Sequence, residues 1–456
     1  MKPAESNFTT PLRNRFPDAF TWGVATSAFQ IEGAADTDGR GASIWDTFCN
    51  QPGTIADKSD GKTACDHYHL YEQDIDLIKE IGVDAYRFSI SWSRVQALGK
   101  GEWNEKGFAF YDRLIDGLLA RGLKPYATLY HWDLPQALQD NGGWNNRETC
   151  KHFSDYAAEV ARRFGDRLVS IATHNEPWVV AILGHESGIF APGIRDRKIA
   201  MQTAHHLLLS HGMALQSMRA TGTKAQLGIV LNQSPFYPAT PAPDDVAKAR
   251  LEDGLLVRWY MDPLLKGRYP TDVIQHLGKD APDIQAGDLD IIRAPLDFIG
   301  INYYTRQVVS VQPGFNQAAN KLPLTDMGWE ICPEGLTDLL VRLNRDYPLP
   351  PLLITENGAA FPDQLSNGEI NDLPRIAYLK QHIAAVQNAI EQGVNVIGYF
   401  VWSLFDNFEW ASGYEKRFGI IYVDYATQKR YLKNSAKWYN QFLLGNQDQY
   451  LFRESL

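Results

Sequence analysis

Hydrophobic and polar positions alternate along this chain in two regimes. Short, mostly apolar runs rich in β-branched and aromatic residues occupy positions 20–30, 85–92, 125–132, 169–174, 227–232, 298–304, 352–355 and 396–403, and each has the composition of a strand. Between them, apolar residues recur at the three- and four-residue spacing of one helix face. Such stripes run through Tyr71, Ile75 and Ile78, through Phe108, Tyr111, Ile115 and Leu118, and through Phe153, Ala157, Val160 and Phe164. Two more follow at Leu336, Leu340 and Leu343 and at Ile376, Leu379, Ile383, Val386 and Ile390. Gly82, Gly122 and Gly393 stand just beyond three of these stripes, where a left-handed residue ends a helix.

Eight strand-then-helix repeats, with strands apolar enough to be covered on both faces, predict an α/β fold of the closed (β/α)8 TIM-barrel type. No G-x-G-x-x-G turn follows the first strand, which argues against a dinucleotide-binding open sheet. No low-complexity linker divides the chain, so residues 1–456 are expected to form a single catalytic domain. The surplus length falls in connections at 34–62, 179–197, 310–327, 359–372 and 406–430. Barrel enzymes build their sites from loops at the C-terminal ends of the strands, so long insertions there predict a deep walled pocket.

Composition narrows the function. With 44 Lys and Arg against 54 Asp and Glu the net charge is −10, which disfavours a nucleic-acid partner because phosphate neutralisation needs a basic face. The longest strongly apolar stretch, 396–405, is about half of the roughly 20 residues that cross a bilayer, so no membrane partner is expected. The first twenty residues carry no apolar signal-peptide core, and a cytoplasmic location is expected. Cys49, Cys65, Cys150 and Cys332 lie far apart without a C-x-x-C pair, as free thiols do. Asp66-His67-Tyr68-His69 and His205-His206 lack the i, i+4 spacing of zinc helices, and Asp46, Asp57 and Asp60 lack the calcium-loop pattern. Neither metal nor cofactor is expected. Assembly into a homo-oligomer is left open.

Candidate chemistry sits at two strand ends. Glu176 follows the fourth strand in Thr173-His174-Asn175-Glu176-Pro177, and Glu356 follows the seventh in Leu353-Ile354-Thr355-Glu356-Asn357-Gly358. In a barrel these ends face one another across the mouth, and a pair of carboxylates flanking one bond suits glycosidic cleavage.

The chain resembles glycoside hydrolase family 1, of the β-glucosidase type. The resemblance rests on the segment from Phe20 to Ala34, on Leu352 to Ala360, and on Tyr86-Arg87-Phe88-Ser89-Ile90-Ser91-Trp92. It extends to His131-Trp132-Asp133, Gly300-Ile301-Asn302-Tyr303-Tyr304 and the run from Trp402 to Trp410. It implies a retaining mechanism with Glu176 as acid/base and Glu356 as nucleophile, assisted by Arg87, Asn175 and Tyr304. It further implies sugar contacts from Gln30, His131, Trp132, Asn175, Tyr304, Trp402, Glu409, Trp410 and Phe418, with Trp402 as an aromatic floor. Glu409 stands where relatives acting on 6-phosphorylated sugars carry a smaller residue, and Glu176 where thioglucosidases carry Gln, so ordinary O-glycosides are expected.

The expected activity is exo-acting removal of terminal non-reducing β-D-glucosyl residues from oligosaccharides and aryl or alkyl β-glucosides. The alternatives are a β-galactosidase, β-fucosidase, β-mannosidase or transglycosylase on the same scaffold, and a silent sugar-binding barrel. His174 has no assigned role.

Overall fold

The computed structural model describes residues 12–317 and 322–446. Residues 318–321, within the expected connection 310–327, lie outside that range, as do 1–11 and 447–456. Eight parallel strands close into a barrel: β1 (Thr21–Ala25), β2 (Ala85–Ser89), β3 (Lys124–Tyr130), β4 (Ser170–Asn175), β5 (Gln226–Asn232), β6 (Phe298–Asn302), β7 (Leu352–Asn357) and β8 (Val396–Trp402). Each pairs with its sequence neighbours, and β1 closes the ring by pairing with β8 from Thr21↔Gly398 to Ala25↔Trp402.

Alternation along each strand divides its side chains between two cores. Trp22 and Val24 face outward into the layer between strands and helices. Ala25, Ala85, Tyr126, Ala172, Val230, Phe298, Leu353 and Phe400 fill the interior. Small and large residues interlock there. The Phe400 ring lies where a Cβ on Gly23 would come within 2.3 Å of it, and Tyr126 meets Phe400 edge-on at 5.1 Å. The floor of the barrel is thus packed, and space opens only above it.

The helical stripes lie on His67–Ile81, Glu105–Ala120, Glu148–Phe164, Pro333–Asp346 and Leu373–Glu391. Gly82, Gly122 and Gly393 take φ of 84°, 74° and 88° at their ends, the conformation that only glycine adopts without a steric cost. Two expectations are corrected, and one helix was not anticipated. The first strand stops at Ala25, and Ala28–Ile31 turns into a short helix, because the Ala28 N–H donates to Ser89 Oγ of the adjoining strand end instead of continuing a ladder. The connection 34–62 carries a helix, Ile44–Cys49, started by a reciprocal Ser43/Asp46 capping box, so Asp46 serves the backbone and Arg40. The longest helix, Arg197–Ala220, had no clear stripe because it is buried on most sides. Its His205 pairs with Asp288 and Tyr269, and its His206 with the Trp144 carbonyl and Gln202. Among the described residues no helix is long and apolar enough to cross a membrane.

Candidate active site

The C-terminal strand ends surround a cavity of about 310 Å³, within the range of small-molecule sites. Glu176, Glu356, Tyr304, His131, Trp132, Trp402, Glu409, Trp410 and Phe418 all line it. Local irregularities in the strands aim these side chains. The pairing register slips between Ala172 and Asn175 on β4 and between Ile301 and Asn302 on β6, which brings Asn302 opposite Glu356. Such bulges re-aim side chains at barrel rims. Trp132, Glu176 and Trp410 adopt φ of 78°, 49° and 49°. Left-handed backbone at a bulky residue costs on the order of 1–2 kcal/mol, and here it turns side chains into the cavity directly after β3 and β4 and beyond β8.

The two glutamates have different partners. Glu356 Oε1 accepts from Arg87 Nη1 at 2.7 Å, and its Oε2 accepts from the Tyr304 hydroxyl at 2.6 Å. Glu176 Oε1 accepts only from a neutral amide, Asn302 Nδ2, at 2.6 Å. Arg87 Nη2 reaches Asn175 Oδ1 at 2.7 Å, and Asn302 Nδ2 also donates to that oxygen at 3.1 Å. One continuous network therefore joins the strand ends of β2, β4, β6 and β7. Burial, then the Glu356 charge, pushes Glu176 up to about 8. Burial also raises Glu356, but Arg87 and the Tyr304 hydroxyl oppose it and stabilise its anion, so the proton of the pair resides on Glu176.

Glu409 is a third carboxyl, half-buried on the cavity wall, pushed up to about 8 by desolvation and by Glu356. Its Oε2 has no hydrogen-bond partner among the described residues. Burial and Arg87 hold His131 well below the usual imidazole range, so its ring is neutral. That ring stacks on Trp402 at 5.8 Å and on Trp410 at 5.9 Å, with interplanar angles of 13°, and its Nδ1 has no partner among the described residues. Carboxyl, imidazole and indole surfaces on one wall provide both the polar groups and the flat apolar face that a pyranose requires.

Three residues expected at the sugar or beside the reacting carboxylates sit behind the cavity surface. Arg87 and Asn175 act on it through the network just described. Gln30 is fully buried, with Nε2 on Asn407 Oδ1 and the Phe408 carbonyl and Oε1 accepting from Ser27, so it braces the segment preceding Glu409. Trp132 lines the cavity, but its indole N–H donates to the Asn175 carbonyl at 2.9 Å, which leaves its ring to make the contact. His174 points away from the cavity. It packs on Phe153 and bonds Ser210 Oγ.

Asn302, Trp178, Gln233 and Trp329 also line the cavity and received no role from the sequence. Asn302 had a readable signal, a polar residue closing an apolar strand like the two glutamates. Trp178, Gln233 and Trp329 lie in connections without periodicity.

The family model for glycosyl hydrolase family 1 matches residues 12–448. The chain is 49% identical over 441 residues to β-glucosidase A of Acetivibrio thermocellus, covering 94% of this chain and 98% of that one. It superposes on the family 1 β-glucosidase from Thermotoga maritima in complex with glucoimidazole with a TM-score of 0.92 and 45% identity, covering 94% and 99%. The virulence factor SghA of Agrobacterium tumefaciens, in complex with its substrate analogue salicin, superposes equally at 0.92 with 46% identity over 95% and 97%.

Proposed function

This chain belongs to glycosyl hydrolase family 1, and from that premise we propose that it is a retaining, exo-acting β-glucosidase, with residues 1–456 as one catalytic domain. The observation that carries the reading is the unequal partnering of two buried carboxyls on one cavity, Arg87 and Tyr304 on Glu356 against Asn302 alone on Glu176.

That inequality suits double displacement. Glu356, stabilised as the anion, attacks the anomeric carbon while Glu176 passes its proton to the departing oxygen. The glycosyl ester of Glu356 carries no charge, so the repulsion that kept Glu176 protonated disappears and Glu176 ionises. It then takes a proton from water as that water attacks the anomeric carbon, and Glu356 leaves as the carboxylate again. We assign the sugar 2-hydroxyl to the amide of Asn175, which lies just beneath the cavity surface where Arg87 and Asn302 orient it, a contact that strengthens as positive charge develops on the ring. Trp402, Trp410 and His131 supply the stacking wall, and Glu409 receives the remote hydroxyls. A glycosidic substrate is the partner this site requires. Incubation with a 2-deoxy-2-fluoro-β-glucoside bearing a good leaving group tests the reading. A covalent label on Glu356 is the expected result, and absence of any label on folded, substrate-free protein would overturn it.

A further inference from the structure

A second set of buried charges stands behind the sugar-facing loops. Asp363 and Asp372 lie in the connection after β7, and Asp406 lies in the connection after β8. They are met by Arg375, Arg417 and Lys433. Lys433 precedes the last helix, Asn434–Leu443, and its side chain is wholly buried. Its Nζ donates to Asp363 and, at 2.7 Å, to Asp406 Oδ1. Asp406 in turn accepts from the Gly419 N–H at 3.0 Å and from Arg417 at 2.6 Å. Asp406 is three residues before Glu409, and Asp363 is seven after Glu356. Lys433 is therefore a single ammonium group joining the loop that continues from the proposed nucleophile to the loop that bears the sugar-side carboxyl.

We infer that Lys433 is a positioning residue, which fixes the β8 loop against the β7 loop and so sets where Glu409 and Trp410 meet the sugar relative to Glu356. This rests on the glucosidase reading above. A long side chain without water around it has one geometry, and a bridge between two loops transmits that geometry to both. Its loss removes the charged tie between the two loops, which stay joined where Arg375 and the Phe361 N–H donate to the Arg417 carbonyl, and loosens their relative position while leaving the Arg87–Glu356–Tyr304 contacts intact. The consequence falls on binding of the intact sugar more than on the chemical step.

The test measures kcat and KM for 4-nitrophenyl β-glucoside in five forms: wild type, Lys433→Met, Lys433→Met with Asp363→Asn, Glu409→Gln, and Glu409→Gln with Lys433→Met. In the double variant two acidic and two basic groups remain, so burial leaves no net charge and folding is protected. The expected result is a KM raised roughly 10-fold with kcat changed less than about threefold, in the single and the charge-balanced variant alike. In the Glu409→Gln background the further rise should shrink, because the lysine acts in part through that carboxyl. An unchanged KM in the folded charge-balanced variant overturns the inference, and so does a penalty that adds in full on Glu409→Gln. If the wild type cleaves no β-glucoside, the glucosidase reading itself falls and the inference with it; an active wild type with an indifferent Lys433 variant removes the inference alone.

Discussion

Two groups of three carboxyls lie at the same end of the barrel and differ in how many cations meet them. Around the cavity, Glu176, Glu356 and Glu409 share one guanidinium, Arg87. Behind the loops, Asp363, Asp372 and Asp406 face three cations, Arg375, Arg417 and Lys433. Burial favours the neutral form of a carboxyl, since desolvation penalises the charged one, and nearby cations oppose it. In the cavity one anion is compensated and the other two carboxyls are pushed up to about 8. In the second cluster Asp363 is held below the ordinary carboxylate value despite its burial, chiefly by Arg375 and Lys433. A balanced cluster is a fastening, whereas a cation-poor one keeps protons available for transfer.

The contrast breaks most severely at its one compensated anion. Glu356→Ala should lower kcat by at least about 10⁴-fold, because no other group replaces the nucleophile. Added azide should restore turnover with an inverted product, as followed by NMR; failure of rescue would remove Glu356 from that role. Glu176→Gln comes next. It should cost about 10²–10⁴-fold on glycosides with poor leaving groups and far less on dinitrophenyl glycosides, which depart without a proton. Equal losses across a leaving-group series would count against Glu176 as the acid.

A pH–rate profile sharpens the comparison further. In the wild type kcat/KM should decline above pH about 8 as Glu176 loses its proton. Asn302 donates to the Glu176 carboxylate and so favours its charged form. Asn302→Ala should therefore move the alkaline limb to higher pH, and a shift to lower pH would contradict the assigned polarity of that bond.

A further effect is on stability. A carboxyl raised on folding, as Glu409 is, contributes stability that is complete below the unfolded value near 4.5 and is lost as pH rises through about 8. The slope is about 1.4 kcal/mol per pH unit within that window. Glu409→Gln should flatten the corresponding stretch of the Tm–pH curve. Asp363 has the opposite sign: its contribution is present above the ordinary carboxylate value and lost as pH falls through its lowered folded value. Asp363→Asn should remove part of the acid-side decline of Tm and leave the neutral-to-alkaline stretch unchanged.

Much of this architecture was legible beforehand, for identifiable reasons. The strands are short apolar runs and several helices end at left-handed glycines, so local periodicity and capping chemistry located both. The long helix Arg197–Ala220 escaped because a helix buried on most sides has no polar face to mark its period. Both glutamates were visible as polar residues closing apolar strands. The positive φ at Trp132, Glu176 and Trp410 was not visible, since nothing in a tryptophan or glutamate signals a left-handed backbone. Gln30 shows the same limit from the other side. Its position in a family-like segment suggested a sugar contact, and only the structure shows that its amide also ties Ser27 to Asn407 and the Phe408 carbonyl.

The amino-acid sequence by itself determined the order of strands and helices, the closed barrel they imply, and which chemical groups stand at the strand ends. Those properties follow from interactions within a few residues and from strand periodicity. Only the tertiary structure decided which carboxyl keeps its proton and which is held as an anion. That outcome depends on Arg87 from β2, Tyr304 beyond β6 and Asn302 from β6 arriving beside residues of β4 and β7. Electrostatic energy falls with distance and rises as water is excluded, and both quantities exist only once the barrel has closed.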